Sequence, residues 1–549
     1  MKHRLLVSAL LVPALAFVLW LWWRDGQPRA IADVPEGHLG CVSYSPAVRS
    51  GDINAVIDRE ILVRDLTLLA QRFTCVRIYT VSEGLGEVPA IARELKLRLL
   101  MGLWIGRDSL HNQREIRDGL KLAAEYRDVI DAVIVGNEVL LRREMSAGRL
   151  AELIAQVDEG TDLPVTYADV WDFWKENPGL APLVDLVMIH LLPYWEDQPT
   201  GIDRALQHTA EVYAEAHGTF PDKPIFIGET GWPSQGRQRE DARPSLVNQA
   251  RFVREFTNWA TDAGIKYNLI EAFDQPWKRN QEGTVGGFWG IYDASGRPKF
   301  SLAGPVANDA RWLRGFQGAG AGAVVFLLAG LLSPRRRSVG SAVCLLLAGA
   351  VAGAVAMLQW RYAVAANRNT AEWVTAALLA VVGWGIFVRA IAAVTRNDHG
   401  TLPVPAGLAE LLGNLGGSIA PLRGRERVLG LLRFCLLLSL AYHVLGLAFD
   451  PRYRDFPLAM FALPVGALVL ASLLATREHL VNLRLAAEEV LLAGMIGACA
   501  VAMVFIEGPK NGPALAFAVL SGACAFSVFW VTRGFARDHE GGQQHAEHR

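Results

Sequence analysis

Two glutamates stand where apolar, strand-like runs give way to turn-forming residues. Glu138 ends the run AVIVGNE at 132–138, and Glu229 follows PIFIG at 224–228 and precedes Thr-Gly-Trp-Pro. In α/β folds the chemistry collects at the carboxyl ends of the strands, so we expect both carboxylates to face one cleft. Such a pair can cleave a glycosidic bond, with one group as proton donor and the other as nucleophile.

Other apolar runs end in aromatic, amide and charged residues suited to a sugar site. Aromatic faces stack on the apolar face of a pyranose ring, while carboxylates and amides bind its hydroxyls. The candidate substrate-binding residues are Tyr44, Arg77, Tyr79, Asn137, His190, Tyr194, Trp232, Asp274 and Trp277, and Trp104, Asp169, Trp171 and Glu271 occupy similar positions. For single residues a structural role remains an alternative: Arg77 as a buried ion-pair member, and His190 as a hydrogen-bonding residue.

Eight short apolar runs alternate with amphipathic segments, which indicates parallel strands joined by helices. The runs lie at 39–46, 74–80, 98–106, 132–139, 163–171, 185–195, 224–232 and 267–277. Eight strand–helix units in about 270 residues predict an α/β fold of the (β/α)8 barrel type.

The rest of the 549-residue chain is far more apolar, and four segments result. Residues 1–32 contain the run LLVSALLVPALAFVLWLWW at 5–23, which predicts an uncleaved signal anchor, with a cleaved signal peptide as the alternative. Residues 33–310 form the barrel, 311–535 a helical membrane domain, and 536–549 a disordered tail. The formal net charge of −1 gives no sign of a nucleic-acid partner.

Seven apolar segments after the anchor predict membrane helices, so the bilayer is an expected partner. They lie near 316–333, 338–358, 371–394, 428–449, 457–476, 487–507 and 512–532. Basic residues favour the cytoplasmic side, and they cluster in alternate loops at Arg335, Arg336, Arg337, Arg423, Arg425, Arg427, Arg477 and Arg484. We therefore expect a multi-pass protein of a bacterial inner membrane, with both termini cytoplasmic and the barrel in the periplasm. Glu489, at a helix entrance, is expected to be interfacial. Arg433 either marks a polar pathway within its span or reaches the cytoplasmic surface.

Six cysteines are present, and four fall in the predicted membrane helices. Cys41 and Cys75 lie on the first two predicted strands, on the oxidising side of the membrane. A disulfide between them is an alternative that the sequence leaves open.

The motifs GNEV at 136–139 and GETGWPSQG at 228–236 resemble those of glycoside hydrolase family 17, the β-1,3-glucanase family. Supporting similarities are VSYSP, VRIYT, LPYW and FDQPWK, and the resemblance covers residues 38–300. It implies that Glu138 is the general acid/base and Glu229 the nucleophile. It further implies that Asn137 holds a sugar 2-hydroxyl, Tyr194 orients Glu229, and Trp277 forms a sugar platform.

The expected function is that of a membrane-bound retaining glycosidase or transglycosylase acting on β-1,3- or β-1,6-glucan, in glucan synthesis or remodelling. No cofactor is required, and no His/Asp/Glu spacing in the sequence indicates a metal site. His190-Leu191-Leu192 and Gln275 depart from the family pattern, so linkage preference stays open, as does water or sugar as the acceptor.

Two other classes of function were weighed. A glucan-binding or glucan-export protein with a non-hydrolytic barrel would not need both glutamates. A nucleotide-sugar-dependent synthase would need a large cytoplasmic domain, and the longest predicted cytoplasmic loop, 395–427, is too short for one. Association with a glucan synthase or exporter remains an expected partnership, because seven spans exceed what anchoring requires.

Overall fold

The computed structural model describes residues 2–35, 38–46, 57–333, 338–396, 424–474 and 487–546. The chain divides into two compact units. One is Pro28–Ala307, and the other joins Met1–Gln27 to Asn308–Arg549.

The first unit is a closed barrel of eight parallel strands in sequence order. The strands are β1 (Leu39–Ser43), β2 (Phe73–Ile78), β3 (Arg98–Leu103), β4 (Ile130–Asn137), β5 (Val165–Val170), β6 (Val187–His190), β7 (Ile225–Thr230) and β8 (Tyr267–Leu269). Each lies within or overlaps one of the eight predicted runs, so the predicted (β/α)8 fold is confirmed. Strand β8 closes the ring by pairing with β1 through Cys41–Asn268 and Val42–Leu269.

Helices surround this barrel. Helix α1 (Lys2–Gly26) belongs to the other unit. The helices of the barrel unit are α2 (Arg59–Leu69), α3 (Val88–Leu95), α4 (Ser109–Glu125), α5 (Ala147–Asp158), α6 (Trp171–Glu176), α7 (Ile202–Thr219), α8 (Leu246–Asp262) and α9 (Arg279–Glu282). All of them except the short α9 bury residues against the barrel. Side-chain caps fix where several of them begin: Asp108 accepts the backbone N–H groups of Leu110 and His111, and Ser245 accepts that of Asn248.

Alternate strand residues face the helices or the barrel interior. The interior apolar layer contains strand residues only: Cys41, Cys75, Leu100, Ala132, Ile134, Ala168, Met188 and Phe226. Cys41 and Cys75 are register partners on β1 and β2 and form a disulfide in this layer, which resolves the alternative that the sequence left open. This layer fills the barrel below the strand ends that carry the predicted site.

The second unit is helical. It contains α1, α10 (Leu313–Leu331), α11 (Val339–Ala366), α12 (Thr370–Arg396), α13 (Gly424–Phe449), α14 (Leu458–Leu474), α15 (Ala487–Glu507) and α16 (Gly512–Ala546). Within the described residues, seven of these helices are long and apolar enough to cross a membrane, while α14, with 17 residues, is shorter. The last helix continues to Ala546, where the sequence predicted a disordered tail. Arg335, Arg336, Arg337, Arg423, Arg477 and Arg484, which carry much of the orientation prediction, lie outside the described residues.

The expectation that Arg433 reaches the cytoplasmic surface was wrong. Arg433 on α13 and Glu489 on α15 are both about 1% exposed, and Arg433 Nε lies 2.9 Å from Glu489 Oε2. Burying either charge alone would be costly, so each side chain turns toward the other helix instead of toward the surface.

Candidate active site

The two predicted catalytic glutamates meet at the carboxyl ends of their strands. Glu138 directly follows β4, and Glu229 is the next-to-last residue of β7. A carboxylate oxygen of each lies within 4.8 Å of the other. The Glu138 side chain is 22% exposed and that of Glu229 only 6%, so the former faces the open mouth and the latter lies deeper.

An unusual backbone conformation places Glu138. Gly136 has φ +87°, and Glu138 itself has φ +52°, a region that costs a non-glycine residue about 1 kcal/mol or more. A Cβ on Gly136 would lie 2.6 Å from Val139 Cγ2, so only glycine fits there. The GNEV sequence therefore bends the chain at the end of β4, and the Glu138 N–H is fixed on Ala168 of β5 at 2.8 Å.

His190, at the end of β6, lies between the two carboxylates. Its Nδ1 is 2.9 Å from Glu138 Oε1, and its Nε2 is 3.7 Å from Glu229 Oε1. The imidazole is fully buried, and among the described residues Nε2 has no hydrogen-bond partner. Gly228 lets β7 approach it closely, because a Cβ there would lie 3.1 Å from the His190 ring.

Arg77 and Tyr79 hold Glu229 from the other side. Arg77 Nη1 donates to Glu229 Oε1 at 3.2 Å and to the Gly228 carbonyl at 2.8 Å, and its Nη2 donates to Asn137 Oδ1 at 2.5 Å. The Tyr79 hydroxyl lies 2.7 Å from Glu229 Oε1 and 2.7 Å from Ser43 Oγ. Arg77 is therefore a buried ion-pair member, as its structural alternative expected, and its partner is the candidate nucleophile.

These contacts set the charge of Glu229. Burial raises the pKa of its carboxyl group, but the electrostatic interactions with His190 and Arg77, the Tyr79 hydrogen bond and the interaction with Lys278 together lower it below the ordinary value. Burial and the Glu229 charge raise the pKa of Tyr79 well above its ordinary value, so this phenol remains a hydrogen-bond donor. Glu229 is thus an ionised carboxylate with a fixed donor.

Four predicted substrate-binding residues are not brought to the carboxylates. The Tyr44 hydroxyl donates to Asp65 of α2, and the Tyr194 hydroxyl donates to the Arg237 carbonyl at 2.6 Å. Trp232 Nε1 donates to the Arg243 carbonyl, and its ring packs on Tyr194 and on Phe252 of α8. Asp274 Oδ1 accepts Lys299 Nζ and the Gly290 N–H.

The placements of Tyr44, Trp232 and Tyr194 share one physical reason. Ser43 points into the barrel, where it meets Tyr79, so the next residue, Tyr44, points outward. Trp232 and Tyr194 likewise lie in the apolar layer between barrel and helices. The resemblance assigned the orientation of Glu229 to Tyr194, whereas the hydroxyl that reaches Glu229 belongs to Tyr79.

Trp277 lies in the short turn Pro276–Lys278 after β8, and its ring is partly exposed. Its Nε1 donates to Gln275 Oε1 at 2.9 Å, which fixes the ring plane. The next residue, Lys278, donates to Glu271 Oε2 at 2.6 Å. This placement is compatible with the predicted platform.

Lys278 was not predicted as a site residue, whereas Glu271 and Asp169 were expected at strand ends without their partners. Burial raises the pKa of Glu271 to about 7, although its ion pair with Lys278 opposes the shift. Asp169 is buried beside His190, and burial raises its pKa to about 6. Lys278 stands in the FDQPWK motif and Asp169 at a strand end, so both were visible in the sequence, but their partners were not.

The cluster also has the composition of a metal site. Glu138, His190 and Glu229 each offer one ligand atom, and these atoms lie within 4.8 Å of one another. No sequence spacing indicated this group, because its members come from three separate strands. The Arg77 guanidinium, 3.2 Å from Glu229, would repel a cation bound there. The donor set therefore fits acid–base chemistry on a neutral substrate better than it fits a divalent ion.

Comparison with known proteins identifies the barrel. Residues 41–290 match the family model described as the BtgE/BtgC glycoside hydrolase domain. A glucan 1,3-β-glucosidase of Schizosaccharomyces pombe is 28% identical over 280 residues, covering 47% of this chain and 85% of the relative. A probable glucan endo-1,3-β-glucosidase of Aspergillus oryzae is 28% identical over 298 residues, covering 48% of this chain and 41% of the relative.

Among solved structures, the barrel is similar to a glycoside hydrolase family 17 β-1,3-glucanosyltransferase from Rhizomucor miehei. The identity is 26% and the TM-score 0.43, over 48% of this chain and 97% of that one. The family match and the two glucosidases confirm the resemblance that the motifs indicated. Residues 41–290 of this chain therefore match a BtgE/BtgC glycoside hydrolase domain and resemble family 17, and the protein is a glycosidase or transglycosylase.

Proposed function

We propose that the barrel acts on β-1,3-glucan by a retaining mechanism, with Glu229 as nucleophile and Glu138 as general acid/base. The observation that carries this proposal is the separation of their carboxylate oxygens, which is within 4.8 Å. Retaining glycosidases hold their carboxyl groups about 5 to 5.5 Å apart, whereas inverting enzymes leave about 6.5 to 9.5 Å for a water molecule. The glucosidase relatives support β-1,3-glucan as the substrate, and β-1,6-glucan is a further candidate.

In the first step, a Glu229 oxygen attacks the anomeric carbon while Glu138 protonates the glycosidic oxygen. The bond to the leaving sugar breaks, and a glycosyl ester forms on Glu229. In the second step, Glu138, now ionised, removes a proton from water or from a sugar hydroxyl, which attacks the same carbon and releases Glu229. Two inversions at one carbon give net retention.

The surroundings of the pair support this division of roles. Arg77 and Tyr79 stabilise the Glu229 charge before attack and after release, and they orient one oxygen so that the other is left for the substrate. Glu138 is more exposed and contacts His190, which suits a group that exchanges a proton in each step. Trp277 would stack on a sugar at the rim.

We further propose that the chain is a multi-pass protein of a bacterial inner membrane, with both termini in the cytoplasm and the barrel in the periplasm. Seven span-length apolar helices and the shorter α14 support an even number of crossings. A tethered enzyme suits the trimming, branching or extension of a glucan that the cell itself exports, so transglycosylation in glucan synthesis or remodelling is the proposed role. A glucan synthase or exporter is the proposed protein partner.

The test is product analysis with the full-length chain in detergent, beside Glu229→Ala. A linear β-1,3-glucan oligosaccharide is the substrate, and mass spectrometry and linkage NMR identify the products. Products longer than the substrate, absent from the Glu229→Ala control, would support transglycosylation, and shorter fragments alone would indicate hydrolysis. Binding without turnover in the wild type would contradict the catalytic proposal and favour a glucan-binding or export role.

A further inference from the structure

Trp104 stands out on the surface of the barrel. Among the described residues of this unit, it is the one aromatic side chain exposed by more than a third, at 37%. It directly follows β3, on the rim where Glu138 and Glu229 lie. A ligand that covers an exposed indole removes apolar surface from water, which is favourable.

The backbone around Trp104 is firmly held. Its N–H donates to Glu115 Oε1 at 3.1 Å, and Glu115 is a fully buried carboxylate of α4. The same carboxylate accepts the Val81 N–H and the Thr80 hydroxyl, which directly follow Tyr79. Gly106 lies two residues after Trp104. Its N–H donates to Asn112 Oδ1, and its carbonyl accepts a hydrogen bond from Asn112 Nδ2. Trp104 is thus built on a rigid frame, unlike a mobile loop tip.

Its ring is also fixed. The Arg142 guanidinium lies over the indole, 4.4 Å from the ring centroid. Arg142 is itself oriented by the Ile105 carbonyl at 3.1 Å, by Glu144 Oε2 at 2.8 Å, and by the Asn137 carbonyl. A cation over the ring orients it, and 37% of the residue remains exposed to a ligand. The frame holds the aromatic side chain before any ligand arrives, as binding sites require.

The position of Trp104 relative to the two glutamates indicates which sugar it would meet. Strand β3 pairs with β4, through Leu103 and Val135, and Glu138 lies just beyond that pairing. In the closed ring, β3 lies four strands from β7 in either direction, so Trp104 is across the mouth from the strand of Glu229. Trp277, the predicted platform for the transferred sugar, follows β8 beside β7.

We propose that Trp104, held by Arg142 and Glu115, is the platform for the glucosyl unit on the leaving-group side of Glu138. This inference rests on the proposed function and deepens it. In the first step the site holds the departing end of the glucan, and in the second step it holds the acceptor sugar whose hydroxyl Glu138 deprotonates. Trp104 therefore sets how well a sugar competes with water for the glycosyl-enzyme.

The test separates donor cleavage from acceptor binding. β-Laminaribiosyl fluoride serves as donor, because its leaving group occupies no sugar subsite, and laminaritriose serves as acceptor. Fluoride release and transfer products are followed for the full-length wild type, Trp104→Ala, Trp104→Phe and Leu110→Ala. Leu110 is the control, an exposed apolar residue on α4.

In Trp104→Ala, the laminaritriose concentration that gives half-maximal transfer should rise about tenfold over wild type, the loss expected of one stacked ring. Fluoride release without acceptor is measured beside it, and the acceptor effect of each variant is expressed relative to that rate. Trp104→Phe should recover part of the loss, and Leu110→Ala should behave as wild type. Unchanged acceptor dependence in Trp104→Ala would overturn the inference, as would a rise in donor KM alone.

A binding experiment keeps this inference distinct from the catalytic proposal. Calorimetry with laminaritriose compares Glu229→Ala with the double variant Glu229→Ala/Trp104→Ala, in which no turnover occurs. We expect the Kd to rise about tenfold in the double variant. If the wild type released no fluoride, the catalytic proposal would fail, and an unchanged Kd would separately overturn the role of Trp104.

Discussion

His190 Nδ1 lies 2.9 Å from Glu138 Oε1, which joins the end of β6 to the residue that follows β4. The other ring nitrogen points toward Glu229, 3.7 Å away, so one imidazole faces both carboxylates. A neutral imidazole can accept a hydrogen bond from a protonated Glu138 or, in its other tautomer, donate one to the ionised form. The contact thus suits a group that alternates between acid and base.

Loss of this imidazole should impair catalysis more than folding. We expect His190→Asn to lower kcat on laminari-oligosaccharides about 100-fold, the usual scale for a disturbed acid–base group. His208→Asn is the matched control, because His208 pairs with Glu196 away from the carboxylates, with Nε2 and Oε2 2.5 Å apart. A similar fall of kcat in both variants, measured under identical conditions, would show that His190 has only a structural role.

Tyr79 should control the acidic side of the pH profile. Its hydrogen bond favours ionised Glu229, so its loss raises the pKa of that carboxyl group. Because activity requires the ionised form, the acid limb of kcat/KM should move to higher pH in Tyr79→Phe, by about one unit for a hydrogen bond to a charged group.

Tyr194→Phe tests whether Tyr194, as the family resemblance implies, or Tyr79, as the structure shows, orients Glu229. Its hydroxyl contacts the Arg237 carbonyl, so the acid limb should stay where it is in the wild type. A shift in Tyr194→Phe but not in Tyr79→Phe would restore the role that the resemblance assigned to Tyr194.

Chelation should leave activity intact. Although Glu138, His190 and Glu229 have the composition of a metal site, the Arg77 guanidinium beside Glu229 opposes a cation. We expect prolonged dialysis against EDTA to leave kcat unchanged within error. Loss of activity that a divalent ion restores would make the cluster a metal centre and would contradict the assigned roles.

The buried pair in the helical unit should contribute strongly to stability. Arg433→Leu removes the guanidinium 2.9 Å from Glu489, which should lower the unfolding free energy by about 3 to 5 kcal/mol. Arg454→Leu is the control, because its partner Asp450 is exposed and such pairs contribute about 0 to 1 kcal/mol.

The double variant Arg433→Leu/Glu489→Leu should recover much of this stability, since it leaves no single buried charge. Thermal unfolding of the full-length chain in detergent compares the stability of the wild type, the two single variants and the double variant. Equal losses in Arg433→Leu and Arg454→Leu would contradict the buried pairing.

The barrel and its glutamates were predictable because their signals are local. Each strand is a short apolar run, and Glu138 and Glu229 each directly follow a glycine-containing turn or strand end. The outward placement of Tyr44 was missed because a shift of one residue along a strand reverses the direction of a side chain. Strand ends alone do not show which of two neighbouring residues faces the barrel axis.

The partnerships were not predictable because they join distant parts of the chain. Tyr79 reaches Glu229 and His190 reaches Glu138 across separate strands, and no spacing in the sequence records either contact. The same holds for Arg433 and Glu489, which looked like two independent helix-end charges until two helices brought them together. Composition predicts which residues need partners, and only the fold identifies the partners.

The most direct test of the central claim is the anomeric configuration of the first product. Proton NMR of a laminari-oligosaccharide during its first minutes of cleavage distinguishes the two anomers before they equilibrate. Because carboxylate oxygens of Glu138 and Glu229 lie within 4.8 Å of each other, the account predicts that the β-anomer appears first. Initial formation of the α-anomer would mean inversion by an attacking water and would contradict a glycosyl-enzyme on Glu229.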